Sequence, residues 1–557
     1  MKGDFARMMF DSQRHFSQVL HQQGRVLLEA DWNEQGAIQL HLLRSLIVDL
    51  VGACWAAGDG FRLSLQDANN RPLPLKDWRL SAGHFYVDGI LCENDTDCAL
   101  AMQSYRPTPD DGSDGNSAFE TPTDPFVLYL DVWERHLSAV EAPGILDSAL
   151  GGIDTATRAQ VVWQVRMLGI EAAIAMGEQA IAALRLRDDL PPFAQALLDP
   201  DFDLRQKIED LFDRLVGEDR DDRAEACADF RILLTLRNRF AYPQLRAGLG
   251  QIDTDSDACI IAPDARYRGC ENQLYRVEIH TGGTASSDGN AGATFKWSRE
   301  NGSVIFPIVA APASAGAVAG GTAYVIGLGH LGRDVRLGLA VGDRIELSDD
   351  AIALAQRAYP LLEVAAIDTA NRTITVHVPT ALGHVPRVDM NRHPLLRRWD
   401  QRTDVGVDGT LAVLEGDAGI ELEDGVTIAF EPGGLYATGD YWVIPARVAD
   451  NGSLDWPMDG DQPRAVMAKG QHHYAMLGGI DDNGGFEECC CRVTPLCERR
   501  APERIEPLPQ PGPFASPRRR LESRAAAGTA TVKATPHKRK SPAAGSPAGG
   551  SGEPPNR

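Results

Sequence analysis

From about Gly58 onward the chain is written in short apolar runs separated by Asp-Gly and Asn-Gly pairs, and few folds accept that rhythm. In "WRLSAGHFYVDGILCEN" the pair Asp88-Gly89 lies between two alternating runs. A two-residue type I′ turn needs positive φ at both central positions, which Asp, Asn and Gly adopt at least cost. The pattern predicts a hairpin there and another across Asn301-Gly302 in "FKWSRENGSVIFPIV". "FVLYLDVWERHLSAV" and "ATRAQVVWQVRML" read as further strands. "LAVGDRIELSDD" and "LLEVAAIDTANRTITVHVP" read as paired strands of a small barrel or sandwich, and "GIELEDGVTIAF" and "GDYWVIPARV" as another antiparallel set.

Two stretches break the rhythm. Ile38, Leu42, Leu43, Leu46, Ile47 and Leu50 recur at spacings of three and four, giving a helix with one wide apolar face that ends near Gly52. Asp31 and Glu34 have the spacing of a capping box at its start, with Trp32 free to pack. Residues 170–247 are charged and helical, a helical insertion in a β-rich protein. The expectation is an α+β, β-rich multidomain chain. It has an N-terminal helical docking segment (1–57), a β-rich domain (58–169), the charged helical insertion (170–247) and antiparallel β-sandwich or barrel-like domains (248–497), with the barrel-like part near 322–380. A disordered Pro/Ala/Gly/basic tail (498–557) completes the chain.

Charge is divided unequally. Net charge is −23, yet Ala501–Arg557 has ten Lys/Arg and four Asp/Glu, so the preceding 500 residues carry about −29. A body this acidic repels nucleic acid and anionic membrane. The tail, without interleaved aromatics, could meet a polyanion only through its charge. No run approaches the ~20 apolar residues of a membrane span, and the N-terminus has no secretory pattern. Synthesis in the cytoplasm and reduced cysteines are the expectations.

Motifs that could carry chemistry fail on their context. "GLGHLG" (Gly327–Gly332) matches G-x-G-x-x-G, but strand-like sequence follows where a dinucleotide site needs a helix. Asp253, Asp255 and Asp257 open a calcium-loop spacing that has Ala258 in place of glycine and Asp264 in place of glutamate. Cys489, Cys490, Cys491 and Cys497 are close enough for zinc but lack C-x-x-C pairs. His472 and His473 read as packing or surface residues. No catalytic residue, cofactor or metal site is assigned. For interaction, the entry to the first helix supplies Arg25, Trp32, Asn33 and Gln35.

The blocks "MKGDFARMMFD", "FYVDGILCEN", "YLDVWERH", "YRGCENQLYRVEIH", "ATFKWSRENGSVIFPI", "HPLLRRWDQ" and "TGDYWVIPAR" occur in an order that resembles DUF6519, a bacterial family of unknown function, over about residues 1–495. The resemblance implies no activity. The layout of a turn, a polar helix entry, a helix and then a "YVDG" strand is also similar to phage tail-fibre proteins. That layout implies a structural or adhesion component of a phage-tail-like contractile injection system, baseplate or fibre. Its partners would be proteins of the particle, with a homotrimer as one arrangement and a cell-surface glycan as a receptor. The rival readings are a carbohydrate-active enzyme on polysaccharide or cell wall, and a free-standing glycan- or protein-binding module.

Overall fold

The first helix begins earlier than its capping pattern predicts. In this computed structural model α1 spans Glu29–Val51, its N-cap is Leu28, and no side chain caps it. Glu29 and Ala30 favour helix and extend it toward the N-terminus. Asp31 therefore lies in the first turn, where its charge meets free amides, while Glu34 is turned inward and buried. The capping-box expectation is overturned. Gly52 ends the helix at φ 124°, an angle suited to glycine.

The structure describes residues 1–494 except 9, 107–124, 188–189, 218, 251–265, 286–291, 384, 386, 450–451, 461 and 481–485. The calcium-like loop from Asp253 to Asp264, Cys497 and the basic tail lie outside the described residues.

Strands β1 (Cys54–Ala57), β2 (Gly83–Val87) and β3 (Ile90–Asn94) form a sheet that Arg492–Val493 joins parallel to β1. Asp88 (φ 48°) and Gly89 (φ 77°) close the β2–β3 hairpin as predicted. The long strands β4 (Phe126–Leu137) and β5 (Arg158–Gly169) pair along their whole length. Helices α2 (Ile170–Leu184), α3 (Leu204–Leu215) and α4 (Arg220–Arg239) come after them.

The chain returns to sheet at β6 (Gln244–Leu249), β7 (Gln273–Thr281) and β8 (Thr294–Ser298). A closed six-stranded barrel comes next, comprising β9 (Ile305–Val318), β10 (Gly321–Leu328), β11 (Arg344–Ser348), β12 (Leu362–Asp368), β13 (Thr373–Pro379) and β14 (Leu395–Trp399). It extends past the 322–380 span read from sequence. β15 (Val426–Phe430) pairs with β6, β16 (Tyr441–Arg447) with β7, and β17 (His473–Ile480) with β4. The last strands thus complete the sheet of 126–169.

Each sheet buries a face. Leu128, Leu130, Val132 and Trp163 of β4 and β5 pack toward the β1–β3 sheet with Phe61 and Phe85. Val127, Leu168 and Met476 on the opposite face meet Ile174, Phe212 and Phe230 of the helices. Tyr275, Val277, Ile279, Phe295 and Trp297 pack against Phe430 and Trp442. The barrel holds Phe306, Ile326, Ile345, Val364, Val376 and Leu396.

Two expectations are corrected here. Asn301 (φ 49°) and Gly302 (φ 64°) do make a tight turn, but β8 and β9 belong to different sheets, so the turn passes the chain from sheet to barrel and is not a hairpin. Its buried Asn301 donates its side-chain amide to the Gly3 carbonyl at 2.9 Å, which fixes the crossing. The cysteines are also not all reduced. Cys489 is disulfide-bonded to Cys227 of α4, which removes it from any four-thiolate zinc set.

Gly89 also sets how closely α1 approaches the body. A Cβ there would lie 2.5 Å from the Arg44 carbonyl oxygen, and positive φ adds strain for any side chain. Gly89→Ala should cost about 1–3 kcal/mol and speed proteolysis within α1. Unchanged urea unfolding and unchanged nicking would show that the helix is not seated on this turn.

Candidate functional site

The N-terminal residues are held by the interior. Along β7 the side chains alternate: Tyr275, Val277 and Ile279 enter an apolar core, so Arg276, Glu278 and His280 take the other face. That face is covered by the barrel, and all three are buried. Glu278 receives Arg276 at 2.6 Å, Lys2 at 3.0 Å and Lys296 of β8 at 3.5 Å. Lys296 also reaches Glu346 of β11 at 2.6 Å, and the Trp399 indole donates to the same carboxylate at 2.9 Å. The Lys296 ammonium lies 4.5 Å from the Trp399 ring centre, and the Arg276 guanidinium 3.7 Å from that of Tyr441.

Burial opposes ionisation of both acids, and the surrounding cations overcome it. Glu346 is brought down to about 2 by Lys296 and Lys2, and Glu278 is held well below the carboxylate range by Lys2, Arg276 and Lys296. Lys2 itself is lowered to about 8 by burial. Asn301 and Arg276 donate to the Met1 carbonyl. Met1–Gly3 is therefore fixed where sheet and barrel meet.

Beyond Gly3 the chain runs as an arm that leads into α1. Ala30, Glu34 and Ile38 are the residues of α1 that bury against the body. Arg44 bonds Glu134 at 3.0 Å, and a groove of about 530 Å³ lined by Phe10, His41, Arg44 and Val48 separates the rest of the inner side from the body. The opposite side carries the leucines. Leu43, Leu46 and Leu50 are 54%, 53% and 75% exposed, Leu42 is exposed too, and Val26 and Leu27 precede them in the arm, while Leu40 borders the groove. A surface helix ordinarily turns its apolar stripe to its own core. This one turns a mixed stripe inward and its leucines outward.

The residues favoured from sequence gather at the helix entry. Arg25 and Asn33 are exposed, and Gln35 accepts from the Val19 amide at 2.7 Å. Trp32 is exposed and touches only the His21 ring among the described aromatic contacts, at 5.4 Å between centres. Gly327–Gly332 leaves a strand without entering a helix. His472 is buried and hydrogen-bonded to Asp131, with Trp133 stacked on it at 4.8 Å, while His473 bonds Asp88 at 2.8 Å. No cluster of metal-ligating side chains occurs among the described residues, nor is any helix there long and apolar enough to cross a membrane. One carboxyl is pushed upward: burial takes Glu423 to about 7, although Arg299 lies 2.7 Å away and Tyr275 donates to it.

Sequence reasoning missed the buried charges because "YRVEIH" and "FKWS" alternate as half-solvated strands do. The signal that could have found them was charged residues of both signs on one face of adjacent strands.

The model of a family described as "Family of unknown function (DUF6519)" matches residues 1–553. No curated protein matches. A solved structure titled "Crystal structure of TssK" is 8% identical, with a TM-score of 0.16, and the match covers 74% of this chain and 98% of that chain. A likeness at that level carries no argument about fold or partner.

His280 gives the site a pH signature. Burial, with Lys296 beside it, lowers its ring to about 4, so between about pH 6.5 and 4 the unfolded chain takes up a proton that the folded chain refuses. Stability is therefore lost as pH falls through that window. His280→Gln should remove on the order of 3 kcal/mol of that loss. Urea midpoints with the same acid slope in both proteins would contradict a neutral, buried His280.

Proposed function

The chain belongs to DUF6519, a family of unknown function, and we propose that it is a non-enzymatic structural or adhesion component of a phage-tail-like, contractile-injection assembly, docked through the leucine side of α1. One observation carries this reading: the exposed leucines Leu42, Leu43, Leu46 and Leu50 on one side of α1, preceded by Val26 and Leu27 in the arm. Contiguous apolar surface of this kind marks an interaction site, and its burial is favourable by about 25 cal/mol per Å². The occupant we assign is the same helix from two further copies. Leu43, Leu46 and Leu50 recur at spacings of three and four on the exposed side, as along a helix seam. The trimer is made in the cytoplasm and carried in the particle.

A carbohydrate-active enzyme needs one carboxyl kept protonated near neutral pH. Glu278 and Glu346 of the interior cluster are both held ionised, and Glu423, the carboxyl raised to about 7, is engaged by Arg299 and Tyr275; the non-enzymatic reading rests on the leucine side of α1.

The test combines sedimentation of purified protein with gradient fractionation of native lysate. Wild type should sediment as a trimer of the 60.4 kDa chain and travel in lysate with particles that show tail tubes. The double variant Leu43→Asp, Leu50→Asp should be monomeric and leave those fractions. Its unfolding midpoint should lose the dependence on protein concentration that the trimer gives wild type, and at high dilution the two proteins should unfold alike, because both leucines are exposed within one chain. A wild-type monomer in both measurements would defeat the proposal.

A further inference from the structure

Where β4, β7, β8 and the barrel meet, a cavity of about 200 Å³ remains. Its charge does not balance. Toward its edges Glu134 is engaged by Arg44, and Arg135 by both Glu141 and Asp350. The centre has Lys2, Arg276, Lys296 and Arg397 around Glu278 and Glu346, with Glu141 acting on Arg397 from the edge. Arg397 is buried and donates to the neutral Gly302 carbonyl. A buried cation in this position gains from a counter-anion, since desolvated charge is costly unless paired.

The walls also present polar atoms with nothing to bond. His280 Nδ1, His136 Nε2 and Arg135 Nε are out of reach of solvent and have no hydrogen-bond partner among the described residues. All three residues line this cavity, and His280 is 2% exposed. Burial, and after it the neighbouring cations, lowers His280 to about 4 and His136 to about 2. Each ring is therefore neutral near pH 7 and can offer a single N–H.

We propose that this cavity binds a small oxyanion, of carboxylate or phosphate chemistry, held by Lys296, Arg397 and the Nδ1–H of His280. The volume suits one small anion; drug-sized ligands occupy roughly 300 Å³ or more. This site is independent of the leucine side of α1, and its failure would leave the docking proposal standing.

The full-length protein, at low ionic strength and pH 7, would be titrated calorimetrically with inorganic phosphate and, separately, with malonate. One saturable site with a Kd of about 1 mM or tighter is expected for at least one anion. Whichever binds more tightly identifies the chemistry. His280→Phe should weaken that binding about tenfold. As a readout that needs no variant, crystals of the wild-type protein soaked in selenate should show an anomalous peak within hydrogen-bonding reach of His280 Nδ1. The proposal is overturned if neither anion binds saturably at about 10 mM. It is overturned equally if binding is unaltered in a folded His280→Phe protein, or if soaks with selenate and with malonate both leave the cavity empty.

Discussion

The ion network on Glu278 is the interaction on which the rest of the arrangement depends. Its carboxylate is shared by Lys2 from the N-terminus, Arg276 from its own strand and Lys296 from the next, and Lys296 carries the contact across to Glu346 of the barrel. Sheet, barrel and N-terminal arm are therefore tied through one buried cluster. Such a cluster contributes little net stability over apolar packing. Removing any one member would leave a charge without its partner in a place water does not reach, so the cluster fixes one geometry by making alternatives costly. The Asn301-Gly302 turn belongs to this arrangement, because Asn301 bonds Gly3 while Gly302 starts the crossing into the barrel.

A fixed N-terminus has a consequence at α1. The arm can reach the helix in only a limited set of ways, and Gly89 and the Arg44–Glu134 pair set where the helix rests. The leucines are then directed away from the body while Ile38 and Glu34 face it. An apolar side left in water is unfavourable for an isolated chain, whereas in an assembly the same surface is where binding free energy arises.

Much of the fold was legible because it rests on local rules. The Asp88-Gly89 turn has the positive φ its residues accept, and strands 126–137 and 158–169 follow their apolar runs. The site was hardly legible. Arg276, Glu278 and Lys296 alternate with apolar residues as solvent-facing side chains do, and nothing in "YRVEIH" or "FKWS" announces that a barrel will cover them. Cys227 and Cys489 are 262 residues apart, a pairing no spacing rule could supply. The helix start was misplaced for a local reason, since Glu29 and Ala30 carry the helix past the residue that looked like its cap.

By itself, the sequence determined the element types, the tight turns, the apolar periodicity of α1 and the acidic character of the body. Each of these depends on neighbours within a few residues, where backbone sterics and side-chain spacing act directly. Only the tertiary structure decided which side of α1 faces water, which charged strand face is buried, and that β17 returns to pair with β4. Those outcomes depend on contacts between residues hundreds of positions apart, and burial is a property of what lies across from a residue, not of the residue itself.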